Sequence, residues 1–315
     1  MGFLGSYLVP RLLEQKNNLI LLVRNQEKKS ALDRVREKFG DDRSKNIEVV
    51  DGDLQNIWVP SSLCNYRNQI DVLLHAAALL NLGTKKRAEI WETNYEGTKN
   101  VISFCQKNFI KHISFISTAY TQGRNDYEIT KEKCESELKD SGMSHTIIKP
   151  SIIIGSPDDP GPGQTINQFA LAIIKIHMKA ESTRGKMQNG LALPQLELGL
   201  RVKGDPQSTL NVIPVANVTG SIIKILDKQG TYYVTNPNPP TTEQVSMEVG
   251  EALGIHIHIK QQFRSSPIEK MLHKVVKSFL PYLQNEPQFP TVVDKDFVLR
   301  KGYLSDMVKS FLKKV

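Results

Sequence analysis

Cysteine is scarce in this 315-residue chain, and its three examples, Cys64, Cys105 and Cys134, form no CxxC spacing. Such a set supports neither a disulfide framework nor a zinc centre, so no metal is expected, and it fits a reducing, cytoplasmic compartment. Long apolar runs are also missing: none approaches the roughly 20 residues that a membrane-spanning helix needs. The opening segment from Met1 to Leu13 is apolar, yet it has no basic leader region or small-residue cleavage site and does not read as a signal peptide. Acidic residues are outnumbered, 33 against 41 Lys and Arg, for a net charge of +8. That excess suits an anionic partner such as a nucleotide, coenzyme A or an acidic carrier protein. The basic residues are spread along the chain without a clustered arm or recognition motif, which argues against nucleic acid. The rest of the composition, 39% hydrophobic and 23% charged, is ordinary for a globular protein. The length suffices for one large domain, or for a core with a smaller lobe.

What is present is an alternation of two periodicities. Leu19 to Val23 is a continuous apolar run of the kind buried on both faces of a sheet. An amphipathic helix is expected from Lys28 to Phe39, and strands at Ile47 to Val50 and at Asp71 to His75. A helix from about Ile90 to Asn108 leads into a strand at His112 to Ser117, a second helix from Tyr127 to Lys139, and a strand at Thr146 to Lys149. Strand, helix and strand repeated in this way imply parallel pairing through right-handed crossovers, hence a doubly wound α/β sheet of the Rossmann type. After Gly155 the turn-rich segment from Pro157 to Gly163 breaks the pattern. Beyond it are expected a helix from Ile166 to Met178, a Gly- and Leu-rich stretch, a strand near Leu210 to Pro214, a helix from Val218 to Leu226, a strand at Tyr232 to Val234 and a Thr-capped helix from Thr241 to Leu253. The division expected is a dinucleotide-binding core over 1–155, and over 156–315 a smaller α+β substrate lobe interleaved with the last sheet strands.

Gly2, Phe3, Leu4 and Gly5, followed by a helical pattern, match the end of a glycine-rich turn that brings backbone amides to a pyrophosphate. Such a turn follows a buried strand and begins with one more glycine, and here neither precedes it. In the 3-2-1-4-5-6 strand order that strand is central, so the expectation is a sequence starting about ten residues late, or a slot filled otherwise. Arg24 follows the second strand of that scheme, where an arginine suits the 2′-phosphate of NADP and an acid suits a free ribose hydroxyl. Arg34 can join it. Asp53 and Leu54 are placed to meet adenine. Ala76, Ala77 and Ala78 supply small residues where backbone passes close to a dinucleotide.

Tyr127 and Lys131 lie four apart on a helix and share one face. A nearby ammonium is expected to lower the phenol's pKa and tune it for proton transfer, while the lysine bonds the nicotinamide ribose. Ser117 and Thr118, just past a buried strand, offer a hydroxyl to a substrate carbonyl oxygen. Tyr120 in the same loop is a lesser substrate contact or a packing aromatic.

Taken in order, these pieces resemble the extended short-chain dehydrogenase/reductase superfamily over nearly the whole chain, and within it the thioester-reductase or male-sterility branch. The matching segments are GFLGSYLVPRLL at the start, LLVR ending at Arg24, GDL ending at Leu54, HAAA from His75 to Ala78, NYEGTKN from Asn94, STAY from Ser117, YEITK from Tyr127 and KPSIIIG from Lys149 to Gly155, with LNVIPV near Asn211 and TNPNPPT from Thr235 beyond. The resemblance implies NADP(H) rather than NAD(H), and an acyl thioester, delivered by coenzyme A or an acyl carrier protein, as substrate. It implies catalytic roles for Thr118, Tyr127 and Lys131 with Asn94 in support, and nicotinamide contacts from Pro150, Ser151, Ile152 and Ile153. Lys149 departs from the arginine usual there, and the loop between Thr118 and Tyr127 is short. Two rival readings share these motifs: a nucleotide-sugar epimerase, dehydratase or hydroxysteroid-type dehydrogenase, and a Rossmann scaffold without catalysis.

At the C-terminal end Ile268, Met271, Leu272, Val275, Val276, Phe279 and Leu280 make an apolar stripe opposite Lys270, Lys274 and Lys277, and Leu304 to Leu312 repeats the pattern. These stripes are expected to pack on their own domain, with a membrane surface or an acidic carrier as the alternative partner.

Overall fold

A computed structural model of the chain describes residues 2–26, 28–54, 67–161, 166–176 and 199–314. Cys64, most of the Gly- and Leu-rich stretch and the last residues expected of the helix ending at Met178 lie outside them. In chain order come α1 (Phe3–Glu14), β1 (Leu19–Val23), α2 (Ala31–Phe39), α3 (Asp41–Ser44), β2 (Ile47–Asp51), β3 (Val72–His75), α4 (Arg87–Ile90), a π-helical stretch (Trp91–Glu96), α5 (Gly97–Lys107), β4 (His112–Ile116), α6 (Asp126–Asp140) and β5 (Ser144–Pro150). There follow β6 (Ile152–Ile154), α7 (166–176), β7 (Leu200–Lys203), β8 (Val212–Pro214), α8 (Val215–Ile225), β9 (Gly230–Val234), α9 (Thr242–Leu253), β10 (Ile257–Lys260), α10 (Pro267–Val275) and α11 (Tyr303–Leu312). Every ladder between these strands is parallel, as the alternation of strand and helix requires.

The chain forms two compact units, Met1–Ser151 with Val215–Val234, and Ile152–Pro214 with Thr235–Val315. In the first, side chains of β1 alternate between faces. Leu19, Leu21 and Val23 pack with Val9 of α1 and with Ala31 and Val35 of α2. Ile20 and Leu22 join Val101 and Phe104 of α5, Phe115 of β4, Leu138 of α6 and Ile147 of β5. Helices therefore cover both faces, the doubly wound arrangement expected from the sequence.

The sheet is divided. β1 pairs with β2, while β3, β4, β5 and β9 form a separate ladder in that order, and no ladder joins β1 to β3 among the described residues. β1 and β3 are therefore each at the edge of a ladder among the described residues. Burial follows this break: β4 is buried throughout, and β5 from Thr146 onward, whereas β1 and β3 are fully buried only at their last residues, Val23 and His75.

The helix expected from Ile90 to Asn108 is interrupted by the π-helical stretch. A π turn shifts backbone carbonyls out of the ordinary helical ladder. Here the Asn94 carbonyl accepts from the Thr98 hydroxyl at 2.6 Å and from the Cys134 thiol at 3.3 Å, which ties this turn to α6.

In the second unit β6 pairs with β8 and β7 with β10. The apolar stripe read from Ile268 to Leu280 is not one helix: α10, opened by a Ser266–Glu269 capping box, ends at Val275, and a 3-10 turn follows at Leu280–Leu283. Glu269 holds α10 to β7 through Arg201, with Nε–Oε1 at 2.8 Å and Nη2–Oε2 at 3.0 Å. The stripe of α11 is spent inside the unit. Leu304, Met307, Val308 and Phe311 are buried, Glu248 accepts from Gly302 N and Leu304 N at 2.8 Å each, and Lys309 pairs with Glu251 of α9. Among the described residues no helix is long and apolar enough to cross a membrane.

Candidate active site

Asn125 caps α6 by accepting from Glu128 N at 3.0 Å, and Asp126 and Glu128 place acidic charge at the positive end of the helix. The helix then presents Tyr127, Lys131 and Glu135 at four-residue intervals along one face. Lys131 Nζ stands 6.0 Å from the centre of the Tyr127 ring and 4.5 Å from that of Phe115, and donates to the Ile116 carbonyl at 2.7 Å. Burial lowers its pKa to about 8, with Cys134 and Glu135 opposing the shift. The Tyr127 phenol is shifted the other way from the expectation: burial, helped by Glu128, raises its pKa. The reason is geometric. The ammonium is spent on a backbone carbonyl, so loss of solvent decides the sign.

Thr118 is fixed by an extension of the β4 ladder. Ser117 N donates to Ile148 O at 2.7 Å and Ala119 N to Pro150 O at 2.8 Å, so the residue between them is held against the end of β5. The buried Thr118 Oγ1 accepts from Tyr120 N at 3.2 Å, which leaves its own proton to be donated elsewhere. Tyr120 itself is buried, its ring 5.0 Å from the Arg124 guanidinium. The short loop is clasped by the fully buried Glu128, which accepts from Gln122 N at 3.2 Å and Arg124 N at 3.1 Å and pairs with Arg124 Nε at 3.2 Å. Asn94 lies on the π-helical stretch, and both ends of its amide engage Leu79, Oδ1 accepting from N at 2.7 Å and Nδ2 donating to O at 3.1 Å. It thus fixes the segment that follows Ala76, Ala77 and Ala78.

Ser117, which the sequence reading set beside the centre, meets there two residues to which it gave no role in the site, Glu135 and Lys149. Ser117 Oγ donates to Glu135 Oε1 at 2.5 Å, and Lys149 Nζ donates to the same oxygen at 2.5 Å. The available signal was the spacing of Glu135, one more helical turn along the face of Tyr127 and Lys131.

At the other end, Gly2 is the extended N-cap of the 12-residue α1, with Phe3, Leu4 and Gly5 in its first turn. Arg24, 69% exposed, pairs with Asp53 at 3.3 Å, and Arg34 Nη1 donates to the Arg24 carbonyl. An open cleft nearby is lined by Gln26, Lys29, Arg34, Glu37 and Lys38. Leu54 packs under Gly97, where an added Cβ would fall 3.0 Å from Leu54 Cβ, so the glycine of NYEGTKN admits this contact. Ala76, Ala77 and Ala78 are exposed beyond β3. His75, just before them, bonds Thr98 Oγ1 at 2.9 Å, and burial and then Lys131 lower its pKa to about 3, keeping it neutral. Pro150 ends β5. Ser151 Oγ is buried with no hydrogen-bond partner among the described residues, while Ile152 and Ile153 open β6 of the second unit, half-buried. The exposed alanines, the glycine at a helix start and the Ser151 hydroxyl are compatible with a dinucleotide. No cluster of His, Cys, Asp and Glu among the described residues could hold a metal.

This parallel, doubly wound sheet, with a Tyr-x-x-x-Lys helix beside the ends of β4 and β5, is the Rossmann-type arrangement. Residues 1–141, under half of the chain, match the family described as male sterility protein. A curated relative, the UDP-N-acetyl-alpha-D-glucosaminuronate decarboxylase of Bacillus cytotoxicus, is 29% identical over 125 residues, 39% of this chain and 36% of its own length. The chain thus spans well under half of that relative. Among solved structures, the terminal R domain from the myxalamid PKS-NRPS biosynthetic pathway superposes with a TM-score of 0.68 at 17% identity, covering 99% of this chain and 89% of that one. UDP-N-acetylglucosamine 4-epimerase of Methanobrevibacter ruminantium gives 0.64 at 16% identity, over 100% and 96%. At these identities the structures establish the fold.

Proposed function

We propose that the chain is an NADP(H)-dependent oxidoreductase that reduces an acyl thioester, bound to coenzyme A or to an acidic carrier, to the aldehyde. The observation that carries this reading is Tyr127 and Lys131 on one face of α6, with a buried ammonium within 6.0 Å of the phenol ring. The match to the male sterility family over 1–141 supports the choice of branch. When bound, the nicotinamide supplies a hydride for the carbonyl carbon.

The protein's part is binding, orientation and proton transfer. Thr118 and Tyr127 hydroxyls hold the carbonyl oxygen and stabilise the negative charge that grows on it. Burial keeps the phenol protonated, the state needed to give that oxygen its proton in the reducing direction. The resulting thiohemiacetal collapses to aldehyde and free thiol, so that thioester, hydride and one proton balance against the two products. Lys131, whose ammonium has further N–H donors besides the one given to the Ile116 carbonyl, would hold the nicotinamide ribose, and Ser151 would meet the carboxamide. Arg24 and Arg34 take the 2′-phosphate, Asp53 and Leu54 the adenine, and Gly2 to Gly5 the pyrophosphate. Residues 1–155 serve the cofactor and 156–315 the acyl substrate.

The test is NADPH oxidation in the presence of short acyl-CoA esters. Thiol release with each NADPH consumed is expected, with a loss of about 100-fold or more for Tyr127→Phe. The rate should fall above about pH 8, where Lys131 loses its proton. A second reading, nucleotide-sugar epimerisation or decarboxylation, is favoured by the relative and structure with UDP-sugar names. Conversion of a UDP-sugar with no net loss of cofactor would establish it instead.

A further inference from the structure

Resting on the reading of Thr118, Tyr127 and Lys131 as the reacting groups, we propose that Glu135 is a positioning residue, one carboxylate oxygen of which locks together the three segments that carry the centre. Ser117, which bonds that oxygen at 2.5 Å, directly precedes Thr118 at the end of β4. Lys149, which bonds it at 2.5 Å, directly precedes Pro150 and Ser151 at the end of β5. Glu135 itself sits one helical turn beyond Lys131 on α6. Two strands and a helix thus converge on a single atom, and each contributes a residue adjacent to, or one turn from, a group assigned to the chemistry.

All three partners are buried, with 2% of Ser117, 6% of Glu135 and 3% of Lys149 exposed. Burying a carboxylate and an ammonium is costly, and well-packed apolar residues of similar size commonly stabilise a fold equally well. Stability therefore does not explain the pair. Directional bonding does, since a dry, charge-assisted hydrogen bond tolerates little displacement of its partners. The other groups facing the cluster fit this role. The Tyr233 ring lies 5.5 Å from Lys149 Nζ, and the Thr121 hydroxyl lies 3.4 Å from it, so the ammonium is held from several sides. Glu135 also supports the charged form of Lys131, its neighbour along the helix.

The experiment compares Glu135→Gln and Lys149→Met with the double variant Glu135→Leu/Lys149→Met, which leaves no unpaired buried charge and keeps the fold testable if a single variant does not fold. The double variant is expected to melt near the wild-type temperature and bind NADPH as before, with hydride transfer about 100-fold slower, the penalty of a misplaced reacting group. Most of the loss should appear in kcat, and Lys149→Arg should recover much of what Lys149→Met loses. Wild-type turnover in the double variant would overturn the proposal. A second readout stands apart from turnover. Amide NMR signals of Ser117, Thr118 and Ala119 should move in the double variant, and their staying in place would overturn the proposal even if no substrate is turned over. Absence of turnover in the wild type, with those signals displaced in the variant, would instead fail the reading of the reaction while the lock stands.

Discussion

The two ends of the first unit solve opposite problems. Around β4, β5 and α6 the side chains of Thr118, Lys131, Glu135 and Lys149 are buried and bonded to named partners, and burial has already moved the pKa values of Tyr127, Lys131 and His75. Around β1 and β2 the charges lie in solvent and bond to one another: Arg24 to Asp53, Lys29 to Glu37. Exposed ion pairs of this kind contribute about 0–1 kcal/mol, so a ligand displaces them at little cost. A buried ammonium does not rearrange cheaply. The comparison teaches that the polar groups around β4, β5 and α6 are set by burial before any ligand arrives, whereas those around β1 and β2 are left open to being finished by a ligand. The division of the sheet falls between these two regions, at β1 on one side and β3 on the other, each fully buried only at its last residue.

The comparison can be broken from either side. The largest effect is expected at the buried end: Thr118→Val, which removes one donor to the oxyanion while keeping the shape, should slow hydride transfer about 100- to 1000-fold without changing NADPH affinity. A comparable loss of cofactor binding would mean that Thr118 belongs to the ligand-finished end. Next comes Arg24→Ala, expected to weaken NADPH about tenfold, as for one charge-assisted bond discounted for exposure, and to leave NADH unchanged. Equal loss for both cofactors would remove Arg24 from the 2′-phosphate. The smallest effect is expected for Lys38→Met on the open cleft, less than about threefold on NADPH affinity and disappearing in high salt. A larger, salt-insensitive loss would show that this cleft is as preset as the catalytic end.

Much of this was legible in the sequence, because periodicity and burial are coupled. The runs at Leu19 and His112 fold as strands, and the Tyr127 helix carries its phenol and ammonium on one face as spacing requires. Three features were not legible, each for a physical reason. The π-helical stretch at Trp91–Glu96 leaves the apolar pattern of a helix almost unchanged, and only its bonds to Leu79, Thr98 and Cys134 reveal it. The raised pKa of Tyr127 depends on solvent exclusion and on where Lys131 points, neither of which spacing encodes. The Ser117, Glu135 and Lys149 cluster joins segments 14 to 18 residues apart along the chain, so it exists only once β4, β5 and α6 have packed. At the C-terminal end the apolar stripe of α11 was visible, and its occupant is α9 of the same unit, not an outside surface.

The most direct test of the account is a titration of the chain with NADPH and with NADH, followed by nicotinamide fluorescence and repeated with Tyr127→Phe. The account predicts saturable NADPH binding, tighter than NADH, that survives the loss of the phenol. Failure of the chain to bind either cofactor, or binding of NADH as tightly as NADPH, would contradict it.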